Sequence, residues 1–176
     1  MADLTPLLAY RWSPRAFDRN AELIGEEAAS LLEAARWAPS TENAQPWRFA
    51  LGHRDDETWK RILVSLPADD QHWARHASAL VVGAHTGGEA ERAAYDLGQA
   101  IAHLTVQATA LGLHVRQLTG FDRAGLAAEL DLPAGVRPLV VAAVGRLGDP
   151  FGLPEELRRR ETALRHRQPV AALLLR

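Results

Sequence analysis

A chain of 176 residues with 47% hydrophobic content holds enough apolar material to close its own core, and it reads as one domain over residues 1–176. Its 20 basic and 22 acidic side chains, net −2 at neutral pH, leave no broad basic field for duplex nucleic acid or an anionic membrane, so neither is an expected partner. Cysteine is absent, which excludes disulfides, thiolate nucleophiles, iron–sulfur clusters and cysteine-built zinc sites together; redox chemistry here requires a cofactor.

In chain order, MADLTPLLAYRW carries an acid where a signal peptide has its positive region, and no apolar run approaches the ~18–20 residues that span a bilayer, so the expected location is the cytoplasm. Ile24, Ala28, Leu31, Leu32 and Ala35 recur at helical spacing; Gly25–Glu27 gives that helix a capped start and Pro39 halts it. WRFALG, from Trp47, alternates as a strand. A short helix over 56–65 and a buried strand, ALVVGA, over 79–84 follow. Residues 89–111 form the longest helix. Its apolar stripe holds Leu97, Ile101, Leu104, Ala108 and Leu111, while Asp96, Gln99, His103 and Gln107 lie along another face. Gly112 supplies its left-handed cap. A helix over 122–130, a buried strand in RPLVVAAVGRLG (137–148) and a charged helix over 154–166 complete a mixed α/β or α+β pattern.

The polar residues offer fewer chemical readings. VVGAHTGGEAE lacks both the dinucleotide fingerprint and the ending of a phosphate loop, and reads as a turn. His72 and His76 stand four apart as a metal pair would, but no glutamate lies between them and no third ligand is evident, so a solvated helix face is favoured and no metal site is assigned. In RWSPR, the proline pushes Ser13 toward an extended backbone, which sets Arg11, Ser13 and Arg15 on one side at steps of roughly 6–7 Å. Two guanidinium forks and a hydroxyl then suit a phosphate monoester, and an exposed salt-bridged loop suits the motif equally. RHRQPV repeats the two-residue step at Arg165 and Arg167, where a solvated basic helix end is the simpler reading. Between Pro39 and Pro46, a segment expected to be extended presents Ser40, Thr41, Asn43 and Gln45 to the edge of a flat heterocycle or a polyol, with Trp47 as its anchor in the core. The apolar tail VAALLL, after Pro169, must be buried against its own core or a partner.

In order and spacing, RWSPRAF, ARWAPSTENAQPWRF, DLGQAIAHLTVQATALGL, GFD followed by LDLP, PLVVAAVGRLG and RHRQPV resemble the FMN-dependent nitroreductase family over nearly the whole chain. The resemblance implies an α+β fold with a central mixed, mostly antiparallel sheet flanked by helices, in an intertwined homodimer with FMN at the subunit interface. It also implies two-step turnover: NADH or NADPH reduces the flavin, and a small acceptor such as a nitroaromatic or quinone reoxidises it. Carried over by position, Arg11, Trp12, Ser13 and Arg15 hold the phosphate and ribityl chain with Arg165 and Arg167. Pro39, Ser40 and Thr41 contact the ring from the partner subunit, with Asn43 in the same cofactor-binding loop, and Gly120, preceded by Thr119, stands where backbone N–H groups approach flavin N5. The hydride is carried by the flavin itself, so no side chain is assigned as catalytic. The chain departs from the family in having Thr119 where many members have an acidic residue, and in lacking a helical insertion before the long helix. Another flavin reaction on the same fold is the alternative: ene or imine reduction, dehydrogenation, dehalogenation or flavin breakdown. A module without flavin, binding another phosphate ligand or a metal, is more remote.

Overall fold

The central strands are buried on both faces, so their successive side chains fall into two apolar layers. The computed structural model describes residues 4–175. Its strands are β1 (Trp47–His53), β2 (Ala79–His85), β3 (His114–Leu118) and β4 (Arg137–Gly145), joined in one sheet of order β1-β2-β4-β3. Every pairing among the described strands is antiparallel, from Trp47 opposite His85 to His114 opposite Gly145.

On one face, Val81, Val140, Ala142 and Val144 meet Leu31 of α2 (Gly25–Arg36) and Leu97, Ile101 and Leu104 of α5 (Ala90–Ala110). On the other, Leu80, Val82, Val141 and Ala143 meet Trp59 and Ile62 of α3 (Glu57–Val64), Trp73 of α4 (Ala68–Ala74) and Leu126 of α6 (Arg123–Glu129). Each such aliphatic side chain contributes about 1.5–3 kcal/mol when fully buried, so the two layers carry the fold. Gly83 lets α5 lie close to the sheet: a Cβ there would stand 2.8 Å from Val140 Cγ1 and 3.0 Å from Ile101 Cδ1. Two short helices complete the chain, α1 (Pro6–Ala9) at the N-terminal side and α7 (Glu155–Thr162) after β4. No described helix is long and apolar enough to cross a membrane.

The α+β architecture, with helices on both faces of an antiparallel sheet, is the expected one. Gly112 adopts φ +69° as the left-handed cap of α5. Four details differ. Residues 114–118, attached by their sequence to the end of the long helix, form the edge strand β3. Residues 68–74 form a helix whose only expected trace was a helix face at His72 and His76, and it ends before His76. The strand in RPLVVAAVGRLG stops at Gly145, because Arg146 turns out to pair with Glu27 at 2.8 Å and Leu147 makes only an isolated bridge to Phe17. The charged helix ends at Thr162, where Ala163 turns extended, so Arg165 and Arg167 lie beyond it.

Candidate functional site

Residues 11–16 run without regular structure along the sheet edge, with Pro14 and Ala16 buried and Arg11, Ser13 and Arg15 partly exposed. Burial alternates only from Ser13 to Ala16, and Trp12 is partly exposed like the arginines on either side of it. Contacts from distant parts of the chain hold the segment. Glu161, on α7 and only 9% exposed, accepts the backbone N–H groups of Arg15 and Ala16 at 2.8 and 3.2 Å. Arg116, on β3, donates to the Ser13 carbonyl at 3.0 Å and lies 5.4 Å over the Trp73 ring. Arg165 donates to the carbonyls of Ala9 and Arg11 and sits 6.0 Å over the Trp12 ring.

The result is a concentration of like charge. Burial and the nearby Arg165 and Arg167 lower the pKa of Arg11, and burial and the nearby Arg15 lower that of Arg116. Among the described residues, no ion pair involves Arg11, Arg15, Arg116, Arg165 or Arg167, although eight ion pairs form elsewhere. The carboxylates facing the cluster, Glu161 and Asp70, are engaged by N–H groups: Glu161 by the backbone of residues 15 and 16, and Asp70 by the Trp73 indole at 3.0 Å. Five guanidiniums that form no ion pair among the described residues are a setting that an anion would relieve, and forked guanidiniums suit a phosphate.

The segment between Pro39 and Pro46 is a second polar feature, and it is not extended as expected. Ser40 is extended, but Thr41–Asn43 close a single 3-10 turn, and Glu42, Asn43 and Gln45 take left-handed φ of 53°, 56° and 49°. Such conformations in residues other than glycine cost on the order of 1 kcal/mol or more, and they gather at functional sites. The loop satisfies itself: Ser40 Oγ accepts the Gln45 N–H at 3.1 Å, and Gln45 Nε2 donates to the Asn43 carbonyl at 3.1 Å. Two side chains outside it hold it as well: Asp96 of α5, whose Oδ2 accepts the Thr41 N–H at 3.1 Å, and Arg48, which donates to the Gln45 carbonyl at 3.3 Å. Trp47 is buried, as its anchoring role requires. Thr119 and Gly120 follow β3, both exposed. Open space lies where a Gly120 Cβ would stand, beside a cleft of about 580 Å³ between residues 64–67 and the start of α6.

Within this chain the arginine cluster and the Pro39–Pro46 loop remain separate, each bonded to its own neighbours. His72 and His76 are not brought together on a helix, since α4 ends at Ala74. Burial, then Arg75, Arg19 and Arg54, depresses the pKa of His76, a setting that disfavours a bound cation. Arg116, Glu161 and Asp96 are contacts that the sequence did not reveal.

Residues 8–70 match the nitroreductase family, and these include both the Arg11–Arg15 segment and the loop. A solved structure described as an oxidoreductase containing FMN superposes with a TM-score of 0.91 at 34% identity, covering 99% of this chain and 91% of that one. The chain belongs to the nitroreductase family. An uncharacterized 15.4 kDa protein of Mycolicibacterium smegmatis is 38% identical over 132 residues, 68% of this chain and 88% of that protein. The oxygen-insensitive NAD(P)H nitroreductase of Salmonella typhimurium is 32% identical over 54 residues, 31% of this chain and 25% of that enzyme. This chain joins β2 to α5 by the short segment 86–89, with Gly87 and Gly88 at φ +71° and +60°.

Proposed function

We propose that residues 1–176 form one FMN-binding domain of a cytoplasmic homodimeric oxidoreductase that takes electrons from NADH or NADPH and delivers them to a small organic acceptor, such as a nitroaromatic or quinone. The observation that carries this reading is the cluster of five guanidiniums without ion pairs around residues 11–15. Its charge and forked donors fit the terminal phosphate of FMN, and the relative containing FMN supports the choice of cofactor. When bound, FMN supplies the hydride-accepting N5, which is why no nucleophilic side chain is needed. Arg11, Trp12, Ser13, Arg15, Arg165 and Arg167 hold the phosphate and ribityl chain. Pro39, Ser40, Thr41 and Asn43 supply a ring-binding loop, and Thr119 and Gly120 present backbone N–H groups to the ring. With threonine at 119, that last contact rests on the backbone alone.

Because the loop and the arginine cluster stay apart within one chain, a shared site between two copies joins them. Exposed apolar surface supports the dimer. Leu7, Leu8, Trp37 and Val106 line a groove of about 570 Å³, and Val170, Leu173, Leu174 and Leu175 of the tail lie exposed on this protomer instead of closing its core. Deleting residues 169–176, which spares Arg165 and Arg167, is expected to weaken the dimer and lower FMN occupancy in parallel, read by light scattering and flavin absorbance on one sample. A truncated chain that stays dimeric with full FMN refutes the tail's role.

The direct test of function is the visible spectrum of the purified protein, chromatography of the released cofactor, and NADH or NADPH consumption with a nitroaromatic or quinone. FMN and sustained turnover are expected. Recovered FAD, or a colourless protein that takes up no FMN, overturns the reading.

A further inference from the structure

β3 places Arg116 and Leu118 on the face of the sheet that carries the Trp73 layer, and Leu118 is buried there. An apolar residue would serve position 116 as well for packing. Instead a half-buried guanidinium lies over the Trp73 ring at 5.4 Å, with Nη1 on the Ser13 carbonyl at 3.0 Å and Nε buried without a hydrogen-bond partner. Burying a cation beside Arg15 is unfavourable unless an anion offsets it. Among the described residues that offset is only partial: Glu161 and Asp70 face Arg116 but form no ion pair with it, Asp70 accepting from the Trp73 indole and Glu161 from the backbone of residues 15 and 16.

We propose that Arg116 is a further residue of the phosphate site: it fixes the Ser13 carbonyl, and so the line of Arg11, Ser13 and Arg15, and it contributes the charge that selects a flavin phosphate over an uncharged flavin. This rests on the FMN reading above. Stacked on Trp73 and bonded to the segment it supports, Arg116 is already oriented before a ligand arrives, so little side-chain freedom is lost on binding. It acts through Ser13 and through its field, which makes it a positioning residue.

The test compares FMN with riboflavin, which has the same ring system and no phosphate. The full-length chain is titrated with each, read by flavin fluorescence, in wild type and in R116Q, R116K and R116M. A neutral donor in R116Q keeps a bond to Ser13 but loses the charge. Its preference for FMN over riboflavin is expected to fall about tenfold through the loss of one nearby positive charge, with riboflavin affinity unchanged. R116K, which keeps the charge, retains most of the preference; R116M, which keeps only packing on Trp73, loses as much as R116Q or more.

An unchanged preference in R116Q, or equal weakening of both flavins, assigns Arg116 a structural role and overturns the inference. If R116Q does not fold, R116K decides: loss of the preference with charge retained refutes selection by charge. A wild-type chain that binds no FMN sinks the functional reading and this inference together, whereas tight FMN binding with an insensitive R116Q sinks this inference alone.

Discussion

Two polar segments flank α2, and they are built in opposite ways. Residues 11–16 carry no left-handed residue and no regular structure, and partners 103 to 154 positions away hold them: Arg116, Glu161 and Arg165. Residues 39–46 are bonded mostly within five residues of themselves, contain three strained non-glycine positions, and have Asp96 as their one distant side-chain anchor among the described residues. The first segment exists only when both ends of the chain are in place. The second is a preformed loop seated on a helix. A site that joins them draws charge from the first and shape from the second, so damage to each should read differently.

The largest expected effect is on charge. On the proposed FMN reading, Arg15→Glu removes a phosphate fork and sets a carboxylate where it repels the phosphate. A lost charge-assisted bond alone is worth roughly 1.5–3 kcal/mol, and repulsion adds to it, so FMN affinity is expected to fall by well over tenfold. The fold should persist, because the contacts of residue 15 with Glu161 run through its backbone N–H. Unchanged flavin occupancy in the purified variant would show that Arg15 is a surface residue.

Removing the two anchors separates the segments more finely. Glu161→Ala leaves the N–H groups of Arg15 and Ala16 without an acceptor at a buried position, a loss of about 1–3 kcal/mol in stability together with FMN occupancy. Asp96→Ala costs a single bond to Thr41, about 1–2 kcal/mol, and releases the strained loop. Chemical denaturation should rank Glu161→Ala as the more damaging. Hydrogen exchange should show faster exchange at Arg15 in one variant and at Thr41 in the other. Loss of protection at both sites in either variant would refute the independence of the two segments.

The sequence exposed more of the fold than of what steadies the site. Apolar periodicity marks α2, α5, β2 and β4 because each buries a continuous stripe or run. β3 was not legible, since HVRQL breaks its alternation with Arg116 on a core-facing position, and that break is itself the mark of the candidate site. RWSPR and the closing arginines stood out by type and spacing. Their anchors did not. Glu161 sits in EELRRRET, a run that looks wholly solvated, yet it is the buried residue of that helix. Asp96 falls on a polar stripe of α5, but it is only 2% exposed and holds Thr41, while Gln107 on the same stripe bonds Ser30 at 2.9 Å. Sequence pattern reveals which residues are charged; the partner that orders each one depends on chain segments meeting from a hundred positions apart.

The smallest effect concerns acid, and it probes the frame around both segments. Burial, then Arg137 and Arg123, depresses the pKa of His85 at the end of β2, next to the Thr86 N–H that bonds the Pro46 carbonyl closing the loop at 3.0 Å. Burial alone depresses that of His114, at the start of the strand that carries Arg116, and its Nδ1 is buried without a partner. Both imidazoles therefore resist protonation when folded, while the unfolded chain takes up protons near the ordinary value of 6.5. Their contribution to stability is complete above about pH 6.5 and is lost as pH falls through the lowered folded values. The melting temperature should thus be lower at pH 5 than at pH 8, by roughly 2–4 °C for each kcal/mol lost. Replacing His85 with Gln should flatten part of that acid limb. Because His85 abuts the loop and His114 the arginine strand, acid should speed hydrogen exchange at Thr86 before Arg15 if His85 dominates, and in the reverse order if His114 does. A melting temperature that is flat from pH 8 to pH 5 would show that neither imidazole is held neutral by the fold.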